Sequence, residues 1–240
     1  MIDNMQIAKS IDAQMGLSDA LLVREVRISD LPSIVKCHKT VFPDALSTAM
    51  GSNYVRKMLE WYIAAPQSFL FFIENKGECI GYCGGMVREP HSEGSASSMV
   101  QYSFWAAVGA LLSQPALLLH PEVRTKYSFI LKNVKNRILR KVVPTRQGPE
   151  PSPEKDLVPI SPVDPYAGLV VIGVQPLWQS KGYGTLLMDQ FDSVVRQRGV
   201  RRAVLSVRSG NTKAIRSYVQ NRWTVKTIYD SHTVMEKLYS

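Results

Sequence analysis

The chain has 240 residues, 45% of them hydrophobic, which is enough to bury one core with room for an insertion and without staples of disulfide or metal. Its 29 Lys and Arg against 20 Asp and Glu leave a net charge of +9, which points to an anionic partner such as coenzyme phosphates, a nucleotide-linked substrate, nucleic acid or an acidic membrane face. The three cysteines, Cys37, Cys79 and Cys83, stand among apolar neighbours, so the pattern is that of buried thiols in a reducing cytosol, not of a secreted disulfide framework or a Cys-rich zinc site.

Met1 to Ala20 mixes Asp3, Asp12 and Asp19 with Lys9 and has no basic start followed by an apolar run, so a loosely held leader is expected there, not a signal peptide. Leu21 to Ile28 alternates apolar Leu22 and Val26 with Arg24 and Arg27, the period of a strand. A helix follows, with Ser29 or Asp30 as its cap, Pro32 in its first turn, and Ile34, Val35, His38 and Val41 on one face. After Phe42-Pro43-Asp44, the spacing of Tyr54, Met58, Trp61 and Tyr62 predicts a second helix over 53–64. Two strands, 68–74 and 79–87, flank Asn75-Lys76-Gly77-Glu78, a hairpin turn.

The stretch 88–165 breaks this rhythm and is taken as an insertion. Its apolar run Phe104 to Leu119 falls short of the ~20 residues that span a membrane and contains Ser113, Gln114 and Pro115, so burial in protein is expected. Next, Val123, Tyr127, Ile130, Leu131, Val134 and Ile138 recur at helical spacing amid a basic surround. Nine basic residues lie between Arg88 and Arg146, against Glu89, Glu93 and Glu122. Such a helix can be a solvated cover for a core or a homodimer contact, an interfacial membrane helix, or a pocket for a nucleotide diphosphate. Nucleic acid is disfavoured, because no dedicated binding module accompanies the basic run.

Strand, helix, strand, helix and a hairpin then follow, at 169–174, 182–198, 203–207, 212–221, 225–230 and 233–239. The alternation requires some parallel pairing, giving a mixed α/β fold with a mixed central sheet and flanking helices. Between the first of these strands and its helix stands Gln179-Ser180-Lys181-Gly182-Tyr183-Gly184-Thr185. Glycines there let backbone amides approach a ligand, the helix start adds partial positive charge, and Lys181 adds a full one, so a pyrophosphate could dock without a metal. The Gly-x-Gly-x-x-Gly and downstream acid of a dinucleotide site are absent.

The run Val174-Gln175-Pro176-Leu177-Trp178-Gln179-Ser180-Lys181-Gly182-Tyr183-Gly184 resembles the coenzyme A signature of the GNAT superfamily of N-acyltransferases, and Asn211-Thr212-Lys213-Ala214-Ile215-Arg216-Ser217-Tyr218 resembles that family's Asn-x-x-Ala-x-x-x-Tyr helix. The family's usual Gly-Phe after this helix is replaced by Arg222-Trp223, where tryptophan can still fill the aromatic position. The resemblance implies a GNAT domain in two halves, 21–87 and 166–240, the second carrying the site for acetyl-CoA or another short acyl-CoA, with no metal. It implies coenzyme contacts from Gly173, Val174, Gln179, Ser180, Lys181, Gly182, Tyr183, Gly184, Thr185 and Asn211, with the Val174 amide polarising the acyl carbonyl. It also implies that Tyr218 is the general acid that protonates the departing thiolate.

Many relatives place a basic carboxylate on the coenzyme-binding strand, but Leu169-Val170-Val171-Ile172 has none. Glu74, His38 and His120 are the alternatives to be weighed as base. An amine less basic than a lysine, whose pKa lies near 10.4, would ease the task. Cys37-His38-Lys39-Thr40-Val41-Phe42-Pro43 and the apolar-then-basic insertion resemble GNAT proteins of bacterial surface-polysaccharide pathways. That resemblance implies a nucleotide-linked amino-deoxy sugar as acceptor, in the cytoplasm or at the inner membrane face. Protein or peptide acylation, and a membrane-associated coenzyme-binding module without turnover, are the competing expectations.

Overall fold

The computed structural model describes residues 21–88, 96–119 and 165–239. The leader, His120 and the basic helix expected from Val123 onward lie outside the described residues. The chain forms a seven-stranded sheet in the order β1-β2-β3-β4-β5-β7-β6. Its strands are β1 (Leu22–Glu25), β2 (Ser68–Asn75), β3 (Glu78–Arg88), β4 (Tyr166–Val174), β5 (Arg202–Arg208), β6 (Thr224–Ile228) and β7 (His232–Leu238). Neighbours pair antiparallel except β4 and β5, which run parallel.

Helices cover both faces. On one lie α1 (Leu31–Val41), the short α2 (Leu46–Ala49) and α3 (Ser52–Ala64); on the other lie α6 (Tyr183–Gln197) and α7 (Thr212–Gln220). This double cover explains why β2 reads as an unbroken apolar run. Phe69, Phe71 and Ile73 enter the core under α6, while Leu70 and Phe72 enter the core under α1 and α3. The turn from β2 to β3 uses Lys76 and Gly77 at φ of 50° and 82°, the left-handed pair that suits a two-residue hairpin.

Three expectations need correction. The first strand stops at Glu25, and Asp30 stands at the N-cap position of α1 but makes no side-chain cap bond there. The Asp30 carboxylate accepts the Arg27 amide at 2.8 Å and receives Nη1 and Nη2 of Arg24 at 2.7 and 2.8 Å, and these bonds hold its carboxyl below the usual range. The short helix α2 was not foreseen, because its four residues show no periodicity. Most consequentially, the apolar run splits into α5 (Phe104–Ser113), preceded by α4 (Ala96–Tyr102), and a 3₁₀ turn at Pro115–Leu119, and α5 buries none of its residues. Trp105, Leu112 and Leu119 are 61%, 78% and 74% exposed.

Two polar devices secure the second half. Lys237 on β7 reaches into the interior to Asp192 of α6, and donates to the Asn221 carbonyl at 2.8 Å; Tyr239 donates to the other Asp192 oxygen at 2.8 Å. Both charged groups are buried, so each depends on the other for compensation. At the end of α7, Trp223 N–H bonds the Tyr218 carbonyl and Arg222 N–H bonds that of Val219, a Schellman closure that sets Arg222 at φ 65°. A glycine would occupy that conformation without the Cβ penalty of about 1 kcal/mol.

Asp192→Ala, which strands the Lys237 ammonium, is expected to lower unfolding free energy by about 3–5 kcal/mol in denaturant titration. Arg222→Gly is expected to raise it by up to about 1 kcal/mol, or roughly 2–4 °C in thermal midpoint.

Candidate active site

The site begins with a gap in the sheet. β4 and β5 register only at Ala167 with Ala203 and Gly168 with Val204. Beyond those pairs β4 stays on β3 as far as Val174, while β5 stays on β7 as far as Arg208. The strands therefore part from Leu169 onward, leaving backbone groups of β4 on an edge that β5 does not cover. An extended arm with amide groups could pair with such an edge as a strand does.

The loop leaving β4 is held in shape by glutamines. Gln175 N–H bonds the Ile80 carbonyl at 2.8 Å and its Nε2 bonds that of Cys79 at 2.6 Å. Gln179 Nε2 donates to the Val174 carbonyl at 3.0 Å, and its Oε1 accepts from Lys213 Nζ at 2.7 Å. Gln179 thus ties the turn to α7 in addition to standing in the expected ligand set. Ser180 and Gly182 take φ of 60° and 86°, and Gly182 leads into α6 with no side chain capping the helix start.

The first-turn amides of Tyr183, Gly184 and Thr185 therefore lie at an uncapped end, and a Cβ added at Gly182 or Gly184 would meet nothing within 4 Å. Lys181 Nζ sits 5.1 Å from the Trp178 ring centroid. Trp178 in turn packs edge-on against the buried ring of Tyr183, with centroids 5.7 Å apart. This cradle fits a coenzyme's pyrophosphate by its donors and open space, with the Tyr183 ring serving the core and its amide the helix start.

The remaining expected residues stand at the start and on the body of α7 and at the end of β4. Asn211 caps α7, its Oδ1 accepting the Ala214 amide at 3.1 Å. Tyr218 is nearly buried, packs edge-on against Trp223 at 6.1 Å, and is pushed up to about 12 by burial, so its phenol keeps its proton through the neutral range. Trp223 fills the aromatic position after α7. A Cβ on Gly173 would fall 2.4 Å from Val41 Cγ1 and 3.0 Å from the Phe42 ring, so the glycine lets the end of α1 press against β4. Of the alternative bases, Glu74 is committed to Arg24 Nε at 2.5 Å on the sheet's outer edge. His38 is buried behind Phe42.

The family model described as "Acetyltransferase (GNAT) family" matches residues 156–221, the stretch that holds β4, the cradle, β5 and α7. That stretch is similar to a GNAT acetyltransferase domain.

Comparison with curated protein sequences found no match. Solved structures share the GNAT fold. The PaiA N-acetyltransferase of Thermoplasma acidophilum in complex with coenzyme A is 12% identical, covers 92% of this chain and 99% of its own, and has a TM-score of 0.52. The ribosomal-protein-S18-alanine N-acetyltransferase of Escherichia coli is 13% identical, with coverage of 90% and 92% and a TM-score of 0.50. Arabidopsis thaliana NAA60 in complex with acetyl-CoA is 12% identical, with coverage of 91% and 98% and a TM-score of 0.52. At these identities the likeness is one of fold.

Sequence reasoning passed over Gln175 and Lys213, which shape the GNAT turn without belonging to its Gly-x-Gly core. Lys213 lies inside the quoted Asn-x-x-Ala motif, which was the signal available. Lys181→Glu is expected to raise the dissociation constant for coenzyme A about tenfold, or roughly 1.4 kcal/mol, by isothermal titration. Unchanged affinity would remove Lys181 from the cradle.

Proposed function

We propose that the protein transfers an acetyl or other short acyl group from acyl-CoA to a primary amine, with a nucleotide-linked amino-deoxy sugar as the preferred acceptor. The observation that carries the transfer reading is the parted β4–β5 edge opening beside the uncapped, lysine-flanked start of α6. When bound, the coenzyme supplies the thioester. On this reading the first-turn amides of α6 and Lys181 bind its phosphates, and the β4 edge at Gly173 and Val174 aligns the arm. The neutral amine attacks the acyl carbonyl, the C–N bond forms as the C–S bond breaks, and the Tyr218 phenol gives its proton to the departing sulfur. The phenolate then recovers the proton lost by the amine nitrogen.

An anionic acceptor is supported by a surface cleft of about 740 Å³ between α1 and α3, lined by Lys36, Lys39 and Arg56 with Thr40, Ser52 and Asn53. Among the described residues no carboxylate lines it, although Lys36 pairs with Glu78 at 3.1 Å, and Lys39 is steadied by Ser52 at 3.3 Å. Three buried free thiols, Cys37, Cys79 and Cys83, support a reducing, cytoplasmic setting. Among the described residues no helix is long and apolar enough to cross a membrane. The exposed Trp105 and Leu112 of α5, next in sequence to the basic stretch, support peripheral contact with the membrane's inner face.

Incubation with acetyl-CoA, 3-hydroxybutyryl-CoA and a panel of nucleotide amino sugars, polyamines and peptides, followed by thiol release and product mass, tests the reading. Acyl mass on the nucleotide amino sugar is the expected outcome. Product on peptides alone would make this a peptide acyltransferase, and coenzyme binding without product from any amine would leave a binding module. Tyr218→Phe is expected to lower turnover about 100-fold while leaving coenzyme affinity unchanged. Because the phenol titrates only near 12, the wild-type rate should show no loss of this donor between about pH 8 and about pH 10. Arg56→Glu is expected to raise KM for the nucleotide-linked amine about tenfold with KM for acyl-CoA unchanged.

A further inference from the structure

The face of β4 on which Val174 lies is filled by α6, with Tyr183 and Leu187 buried against it. An acceptor must therefore reach the parted edge from the other face, where Gly173 meets Val41 and Phe42 and where the half-buried α2 follows. A chain of three polar side chains stands there and takes no part in the mechanism above. Tyr82, the register partner of Gly173 on β3, bonds through its hydroxyl to His38 Nδ1 at 2.5 Å. His38 Nε2 bonds Ser47 Oγ of α2 at 2.8 Å. Thr48, next to Ser47, ties α2 down by donating to the Phe42 carbonyl at 2.7 Å, and the Phe42 ring lies 5.1 Å from that of His38.

The direction of these bonds follows from what each group can satisfy. Tyr82 is fully buried, and among the described residues its hydroxyl bonds only His38. A buried O–H left without an acceptor costs about 1–3 kcal/mol, so Tyr82 donates to Nδ1. Burial keeps the imidazole neutral at physiological pH, lowering it to about 4, so its one proton resides on Nε2 and is donated to Ser47 Oγ. The Ser47 O–H then has no acceptor among the described residues and is left to donate outward, strengthened by the chain behind it.

We propose that Ser47 is a specificity-determining residue that donates a hydrogen bond to an acceptor oxygen next to the reacting amine, with His38 and Tyr82 as the positioning residues that fix its hydroxyl. This deepens the transfer reading and rests on it. A site of this kind favours amines flanked by a hydroxyl or carbonyl oxygen, and it discriminates against plain alkyl amines and polyamines, which cannot satisfy the Ser47 proton.

The test pairs a spectroscopic readout with a kinetic one. Long-range ¹H–¹⁵N correlation on the ¹⁵N-labelled full chain at neutral pH, with His38 assigned by comparison with His38→Gln, should show the proton on Nε2; a proton on Nδ1 overturns the proposal. Kinetics use acetyl-CoA with a nucleotide-linked amino-deoxy hexose and with its analogue lacking the hydroxyl beside the amine. The wild type should prefer the hydroxylated amine by at least about 30-fold in kcat/KM. Ser47→Ala should abolish that preference, chiefly through KM for the amine with KM for acetyl-CoA unchanged, and Ser47→Thr should restore most of it. An unaltered preference in Ser47→Ala overturns the proposal. Absence of turnover by the wild type on any amine overturns the transfer reading instead, and the ring-nitrogen readout, which needs no acceptor, still decides the direction of the His38–Ser47 bond.

Discussion

A parallel pair of strands can be bonded at one end and open at the other only if each strand has another neighbour to hold it. That constraint governs this molecule. β4 is secured along its length by β3, and β5 by β7, so the two can separate after Gly168 and Val204 without leaving either strand loose. The gap is therefore built from stable halves, and what surrounds it acts to keep it open. Gln175 and Gln179 pin the loop at the end of β4, and Lys213 ties that loop across to α7 on the far side. An edge of unpaired backbone is ordinarily an aggregation risk, but here it lies in the middle of a sheet where another protein's strand cannot easily reach it.

The two faces of the sheet are used unequally around this gap. Under α6 the packing is continuous from Phe191 and Leu187 to Tyr218 and Trp223, and the charged pair Lys237–Asp192 is sealed inside it. On the other face Val41 and Phe42 press against Gly173, and the chain passes through Phe42 and α2 before α3 begins. The continuously packed face carries the residues proposed to hold the coenzyme, while the face with the shorter and more irregular elements carries the polar chain ending at Ser47.

Much of this architecture could be read from the sequence because its elements are long and regular. The period of Ile34, Val35 and His38, the aromatic run of β2 and the hairpin at Lys76-Gly77 are local signals with local causes. The turn into α6 was legible for the same reason, since glycine at 182 and the helix start are short-range features. The parting of β4 and β5 is a property of pairing between strands some thirty residues apart, and no single stretch encodes it. The position of Asp30 at the N-cap of α1 was legible, but not the use of its carboxylate, because a cap and an ion-pair partner look alike until Arg24 is set in place by the β1–β2 register. The apolar run at 104–119 was misread because composition reports a preference for burial without naming what will cover it; Leu117 is buried, while Trp105 and Leu112 of α5 remain exposed.

The position of that run has its own meaning. Arg88 ends β3, Tyr166 begins β4, and the two are register partners joined by a hydrogen bond from the guanidinium to the phenol at 3.0 Å. Everything between them leaves and returns through one doorway a single strand spacing wide, about 4.8 Å. The hairpin is thus closed at its base, while the segment that hangs from it packs back on the helical face, where Met99 lies against the core under α1 and α3 and Ser103 bonds Tyr54. A doorway of this kind fixes the β3–β4 register at its open end, so the chain between Arg88 and Tyr166 need not itself hold the two strands together.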